Sequence, residues 1–152
     1  MENGMYFDSP IGKLWIEEDN ERVVQISGLV SLKKERITPF LIGVCHELEE
    51  YFEGKRKNFT FPITLRGTEF QKSVWIALTK IPYGAVKSYK EIAIEIGKPK
   101  AFRAVGGACN KNPLLLAVPC HRVVGNNRDL TGFALGLDIK KALLELEYKN
   151  SK

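Results

Sequence analysis

Two rhythms of apolar residues divide this chain. Near the start, Leu14-Trp15-Ile16 and Val23-Val24-Gln25-Ile26 are short β-rich runs with Asp19-Asn20 between them, a spacing that predicts a hairpin. From Pro39 the interval lengthens. Phe40, Leu41, Val44, Leu48, Tyr51 and Phe52 recur every three or four residues, which predicts a helix over 39–52, opened by Pro39 and stopped near Gly54. Phe59 to Ile63 predicts a further strand, placed at an edge by Pro62. Leu65-Arg66-Gly67 predicts a boundary between a small α+β domain, 1–66, and a mainly helical domain, 67–152.

The second stretch begins with Thr68 as N-cap and Gln71 at the capping-box position of a helix whose apolar face is Phe70, Val74, Trp75 and Leu78. Pro82-Tyr83-Gly84 ends it. Ser88 and Glu91 cap a second helix that turns Ile92, Ala93 and Ile96 inward. Gly97-Lys98-Pro99 makes a short turn, and a third helix is expected from about Lys100 to Lys111. Two short helices about a tight glycine turn outline a helix-turn-helix. A last helix is expected over 137–149. The fold class is therefore α+β.

Composition narrows the setting. With 44% hydrophobic and 27% charged residues the chain reads as an ordinary globular protein. No apolar run approaches the ~20 residues that cross a bilayer, and Met1-Glu2-Asn3-Gly4 lacks signal-peptide character. Three cysteines without regular spacing suit a reducing compartment, so a cytoplasmic location is expected. The net charge of +5 is uneven: residues 1–66 carry nine Lys/Arg against eleven Asp/Glu, residues 67–152 fourteen against seven. A basic second half suits a polyanion such as DNA, although a solvated lysine-rich face reads the same way.

The chemistry concentrates at Pro119-Cys120-His121-Arg122-Val123, where a thiol stands beside one of only two histidines. A thiol attacks as thiolate, and a neighbouring base supplies it; the plain alternative is a buried cysteine that only packs. Were the segment extended, Cys120 and His121 would point to opposite sides. The expected third helix is nearly smooth, with Ala101, Ala104, Gly106, Gly107 and Ala108 around a single long cation, Arg103. That surface suits a minor-groove binder better than a major-groove reader; tight helix packing is the competing explanation.

These segments occur in one order: Gly67-Thr68-Glu69-Phe70-Gln71, Val74-Trp75, Ile81-Pro82-Tyr83-Gly84, Ser88-Tyr89, Arg103 to Ala108, Asn112-Pro113, Pro119 to Val123 and Leu130-Thr131-Gly132-Phe133. The set resembles the O6-alkylguanine-DNA alkyltransferases, or methylated-DNA–protein-cysteine methyltransferases, strongly over the last 85 or so residues. The resemblance implies a ribonuclease H-like N-terminal domain. It also implies stoichiometric transfer of an alkyl group from O6 of guanine, and from O4 of thymine, to Cys120 after base flipping. His121 would be the base, linked to sulfur through a water, with Glu147 orienting it and Tyr89 donating to the base. Arg103 would fill the space of the flipped nucleotide, with Tyr89, Ala104, Gly106 and Gly107 against the DNA. Asn112, Val123, Phe133, Ala134 and Leu135 would border the substrate. The implied partner is double-stranded DNA, bound by a monomer without cofactor or metal. Cys45, His46 and Cys109 offer no tetrahedral spacing.

Two positions depart from that family. Phe133 stands where a tyrosine is usual, and Ala134-Leu135-Gly136 replaces a loop that ends in a glycine pair. Leu135 is expected to narrow the range of adducts. Rival readings are a helix-turn-helix regulator without chemistry, a cysteine hydrolase, and a non-catalytic relative that only flags alkylated DNA.

Overall fold

A computed structural model describes residues 2–28 and 33–151, and the chain divides into two compact units. The first is residues 1–66 together with Pro113–Leu115; the second is 67–112 and 116–152.

In the first unit, β1 (Asn3–Ser9), β2 (Gly12–Asp19) and β3 (Arg22–Gly28) form an antiparallel meander in the order β1-β2-β3. Asn20 and Glu21, with φ of 53° and 59°, make the two-residue turn between β2 and β3. That backbone matches strand twist and explains the asparagine. β1 is not evident from the sequence, because its apolar run is only Met5-Tyr6-Phe7, flanked by Asn3-Gly4 and Asp8-Ser9. The helix α1 (Pro39–Phe52) is N-capped by the Thr38 side chain, which accepts from Leu41 N. It buries Leu41, Val44, Cys45, Leu48 and Tyr51. Its end at Glu53 is followed by Gly54 at φ 77°, a conformation glycine takes without penalty.

The strand expected over 59–63 does not form. Ile63 makes a single parallel bridge with Val23, through Val23 N to Pro62 O and Thr64 N to Val23 O, both 2.9 Å. Pro62 has no N–H with which to extend a ladder. Pro113–Leu115 lies against β3 by an Ile26–Leu114 bridge, so the first unit takes in a segment beyond position 66.

The second unit is helical. α2 (Glu69–Thr79) carries a complete capping box between Thr68 and Gln71 and buries Val74, Trp75, Ala77 and Leu78. β4 (Lys87–Ser88) leads into α3 (Tyr89–Glu95), whose capping box joins Ser88 and Glu91. Ile96 is only half-buried. Gly97, at φ 78°, turns the chain into α4 (Phe102–Asn110). This helix starts later than its composition suggests, because Pro99 and an Ala101 that offers no cap bond precede it. Trp75 Nε1 donates to Ala108 O at 2.9 Å and ties α2 to α4.

Cys120–Arg122 form one turn of 3₁₀ helix, then β5 (Val123–Val124) pairs in parallel with β4. These two-residue strands are too short to be read from periodicity. The closing helix α5 (Leu137–Asn150) buries Lys140, Leu143 and Glu147, an i, i+3, i+7 set on one face.

Candidate active site and nucleic-acid face

The cysteine segment is not extended. Arg122 N donates to Pro119 O at 3.0 Å, closing the 3₁₀ turn, so Cys120 and His121 are not held on opposite faces as in a strand. Both are buried, at 5% and 1% exposure. Asn112 Nδ2 donates to Val118 O at 2.7 Å, and Asn112 N donates to Cys109 O at 3.3 Å. One side chain thus ties the end of α4 to the approach to Cys120.

Glu147, fully buried on α5, organises the charges. Its Oε2 lies 2.7 Å from His121 Nε2, and its two oxygens accept from Arg122 Nε at 2.7 Å and Nη2 at 3.0 Å. Arg122 Nη1 donates to Ile81 O at 2.7 Å. The guanidinium is always charged and grips the carboxylate with two parallel bonds, so the pair is neutral without a charge on His121. Burial opposes ionisation of Glu147, but His121 and Arg122 outweigh it and hold the carboxyl at about 2. Burial likewise lowers the basicity of His121, and Glu147 restores only part of it. The imidazole is therefore neutral near pH 7.

That fixes its tautomer. A carboxylate only accepts, so Nε2 carries the proton and Nδ1 carries the lone pair. Nδ1 is buried with no hydrogen-bond partner among the described residues. Burial pushes the Cys120 thiol above its ordinary value, while a hydrogen bond from Asn112 and the charge of Lys140 pull it down. A protonated thiol beside a neutral base is the resting state this arrangement supports.

Lys140 was not singled out by sequence reasoning. Its ammonium is fully buried, and among the described residues it has no carboxylate partner. It donates to Thr131 O at 2.5 Å and Gly132 O at 3.3 Å, with Nζ 6.0 Å from the Tyr89 ring centre. Burial lowers its pKa. The signal was available: Lys140 and Glu147 share a helical face with Leu143, and a charge on an apolar face needs a reason. Tyr89, the first residue of α3, shares the Thr131 carbonyl, with Oη donating at 3.3 Å. Burial raises the Tyr89 pKa, which keeps its hydroxyl a donor.

The outer face of α4 is open. Arg103, Ala104 and Gly107 are exposed, and a Cβ placed on Gly107 would meet nothing within 4 Å. On Gly106 it would meet only Tyr89, at an ordinary 3.8 Å. Tight packing therefore does not account for these small residues, although Ala108 is buried beneath Trp75. A cavity of about 370 Å³ is lined by Tyr89, Arg103, Gly106, Asn126, Thr131 and Gly132, among others. Ala104 and Gly107 border a second, of about 260 Å³, with Thr68 and Lys111. Neither is lined by Cys120, Asn112, Val123, Phe133, Ala134 or Leu135. Val123 is buried and pairs with Lys87; Phe133 and Leu135 are half-buried and Ala134 is exposed. Leu135 is thus a wall of neither cavity, and neither cavity reaches Cys120.

Among the described residues no cluster of three or more His, Cys, Asp or Glu could hold a metal, and no helix is long and apolar enough to cross a membrane.

Comparison with known proteins places this geometry. Residues 69–149 match the 6-O-methylguanine DNA methyltransferase, DNA binding domain, and residues 4–65 match the ribonuclease-like domain of the same family. A methylated-DNA–protein-cysteine methyltransferase of Methanosarcina barkeri is 45% identical over 96% of this chain and 99% of its own. The fold superimposes on a Mycobacterium tuberculosis O6-methylguanine methyltransferase with a TM-score of 0.91, at 39% identity over 100% of this chain and 96% of the other. A Mycobacterium tuberculosis OGT in complex with DNA gives 0.87, at 42% identity over 98% and 93%. Both units and nearly every residue between them are covered, and the chain belongs to the methylated-DNA–protein-cysteine methyltransferase family.

Proposed function

We propose that this protein repairs DNA by moving an alkyl group from O6 of guanine, or O4 of thymine, onto Cys120. The observation that carries the reading is the buried His121–Glu147–Arg122 array beside the Cys120 thiol, in the same unit as an open, smooth helix. The thiol proton passes to His121 Nδ1, directly or through a water, and Glu147 stabilises the imidazolium that forms. Sulfur then attacks the alkyl carbon, the carbon–oxygen bond breaks, and the electron pair leaves with the base. A donor near that base eases its departure, and Tyr89 is the candidate. The thioether does not reverse under these conditions, so each molecule acts once.

A base inside a duplex cannot reach a buried thiol, so the target must leave the stack. The exposed α4 supports minor-groove docking, because Ala104 and Gly107 let a backbone approach closely and Arg103 is one long cation that can take the vacated space. Such a face reads few base edges, so affinity should come from phosphates and fall steeply with salt. The chain is read as acting as a monomer.

The test is a titration of limiting protein against excess duplex containing O6-methylguanine. The expected count is one lesion removed per protein molecule. Continued removal beyond that plateau would make Cys120 a turnover catalyst, as in the hydrolase reading.

A further inference from the structure

We infer that Phe102 is a positioning residue for Arg103, holding the guanidinium raised on the DNA-facing side of α4 and so governing reaction on duplex DNA. The inference rests on the proposed role of Arg103 as the side chain that enters the duplex.

Phe102 is the first residue of α4, and it follows an Ala101 that gives the helix no side-chain cap. It is half-buried and lines the cavity of about 370 Å³ beside Arg103. Arg103 is exposed, and among the described residues it makes no ion pair and no hydrogen bond. What it rests on is the Phe102 ring, with Cζ 5.9 Å from the ring centre. That distance lies within the range where a guanidinium is drawn to an aromatic face.

An unpaired arginine samples many rotamers, and driving it into a base stack costs that freedom. A ring that already restricts the side chain reduces the cost before DNA arrives. The cavity that Phe102 lines includes Tyr89 but not Cys120, so the reaction with a free base, which needs no extrusion, separates an effect through Arg103 from one through Tyr89. An attraction of this kind at an exposed site corresponds to roughly a two- to fivefold change in rate.

The experiment compares single-turnover rates on duplex O6-methylguanine and on free O6-benzylguanine for wild type, Phe102→Leu, Phe102→Tyr, Arg103→Ala and the Phe102→Leu/Arg103→Ala double variant. Phe102→Leu should slow the duplex reaction about two- to fivefold and the free-base reaction much less. Phe102→Tyr, which keeps the ring, should restore the duplex rate. The double variant should be no slower than Arg103→Ala alone, because a residue that acts through another has nothing left to position. Equal losses on both substrates, no rescue by tyrosine, or losses that multiply in the double variant each overturn the inference. If Arg103→Ala slows the duplex reaction and Phe102→Leu does not, Phe102 alone is misassigned. If Arg103→Ala leaves the duplex rate unchanged, the role given to Arg103 fails and this inference with it.

Discussion

The two working regions of the second unit are built on opposite terms. Around Cys120 the polar groups are buried, and Glu147 is shared by a histidine and an arginine at hydrogen-bond distance. On the outer face of α4 almost nothing is satisfied: Arg103 rests on a ring, and Gly107 faces open space. The first region is organised within the unit itself; the second is left open. Preorganised charge accelerates chemistry because nothing has to reorient as charge develops. An open face gives the close approach that a deformed duplex requires. Damage to the two regions should therefore be separable by substrate.

The largest separation should come from Cys120→Ala. It should abolish alkyl transfer while leaving affinity for duplex DNA near wild type, as read by a binding titration. Loss of both would mean that the two regions are not independent.

Glu147→Gln should do the most structural harm. It leaves the Arg122 guanidinium buried without its counter-charge, and breaking a buried pair typically costs about 3–5 kcal/mol. The same carboxylate sets an acid limit. Its folded pKa of about 2 lies below the ordinary 4.5, so its stabilisation is complete above 4.5 and is lost as pH falls toward 2. His121 acts in the same direction, because a buried neutral imidazole loses stability as pH falls below its ordinary 6.5. Unfolding midpoints should drop from neutral pH into acid, and Glu147→Gln should flatten the part below 4.5. A midpoint that rises on acidification would contradict the neutral-histidine assignment.

Arg103→Ala should break the other region alone, slowing repair in duplex DNA by roughly one to two orders of magnitude more than reaction with free O6-benzylguanine, which needs no extrusion. Equal slowing on both would move Arg103 into the reaction centre.

Lys140 sits where the two regions meet, since its ammonium holds the Thr131 and Gly132 carbonyls and adds positive charge near Cys120. Lys140→Met should raise the Cys120 pKa, so transfer slows at pH 7 and recovers part of its rate at higher pH. A pH profile displaced in the other direction would exclude that electrostatic role.

Leu135→Gly should have the smallest effect. Leu135 is half-buried, and the ratio of O6-benzyl to O6-methyl rates should move by about tenfold at most, the size of one modest packing clash. A larger shift would give Leu135 more than a single packing contact with the substituent.

What the sequence discloses follows the range of the interactions. α1 and the capping boxes at Thr68 and Ser88 are local in the chain, and periodicity and cap residues reveal them. The Cys120–His121 pair is also local, but its 3₁₀ geometry depends on Pro119 and is not visible as a pattern. β1, β4 and β5 are set by partners elsewhere in the chain, as is the lone bridge at Ile63. Lys140 and Arg122 carry the same lesson. A cation reads as surface until its helical face or its carboxylate is known, and Glu147 lies 25 positions from Arg122.

The most direct measurement is the intact mass of the protein after incubation with one equivalent of duplex carrying O6-methylguanine, followed by peptide mapping. A single increment of ~14 Da, confined to the peptide containing Cys120, is the predicted result. An unmodified mass after the lesion has disappeared, or an adduct on Cys45 or Cys109, would contradict the account.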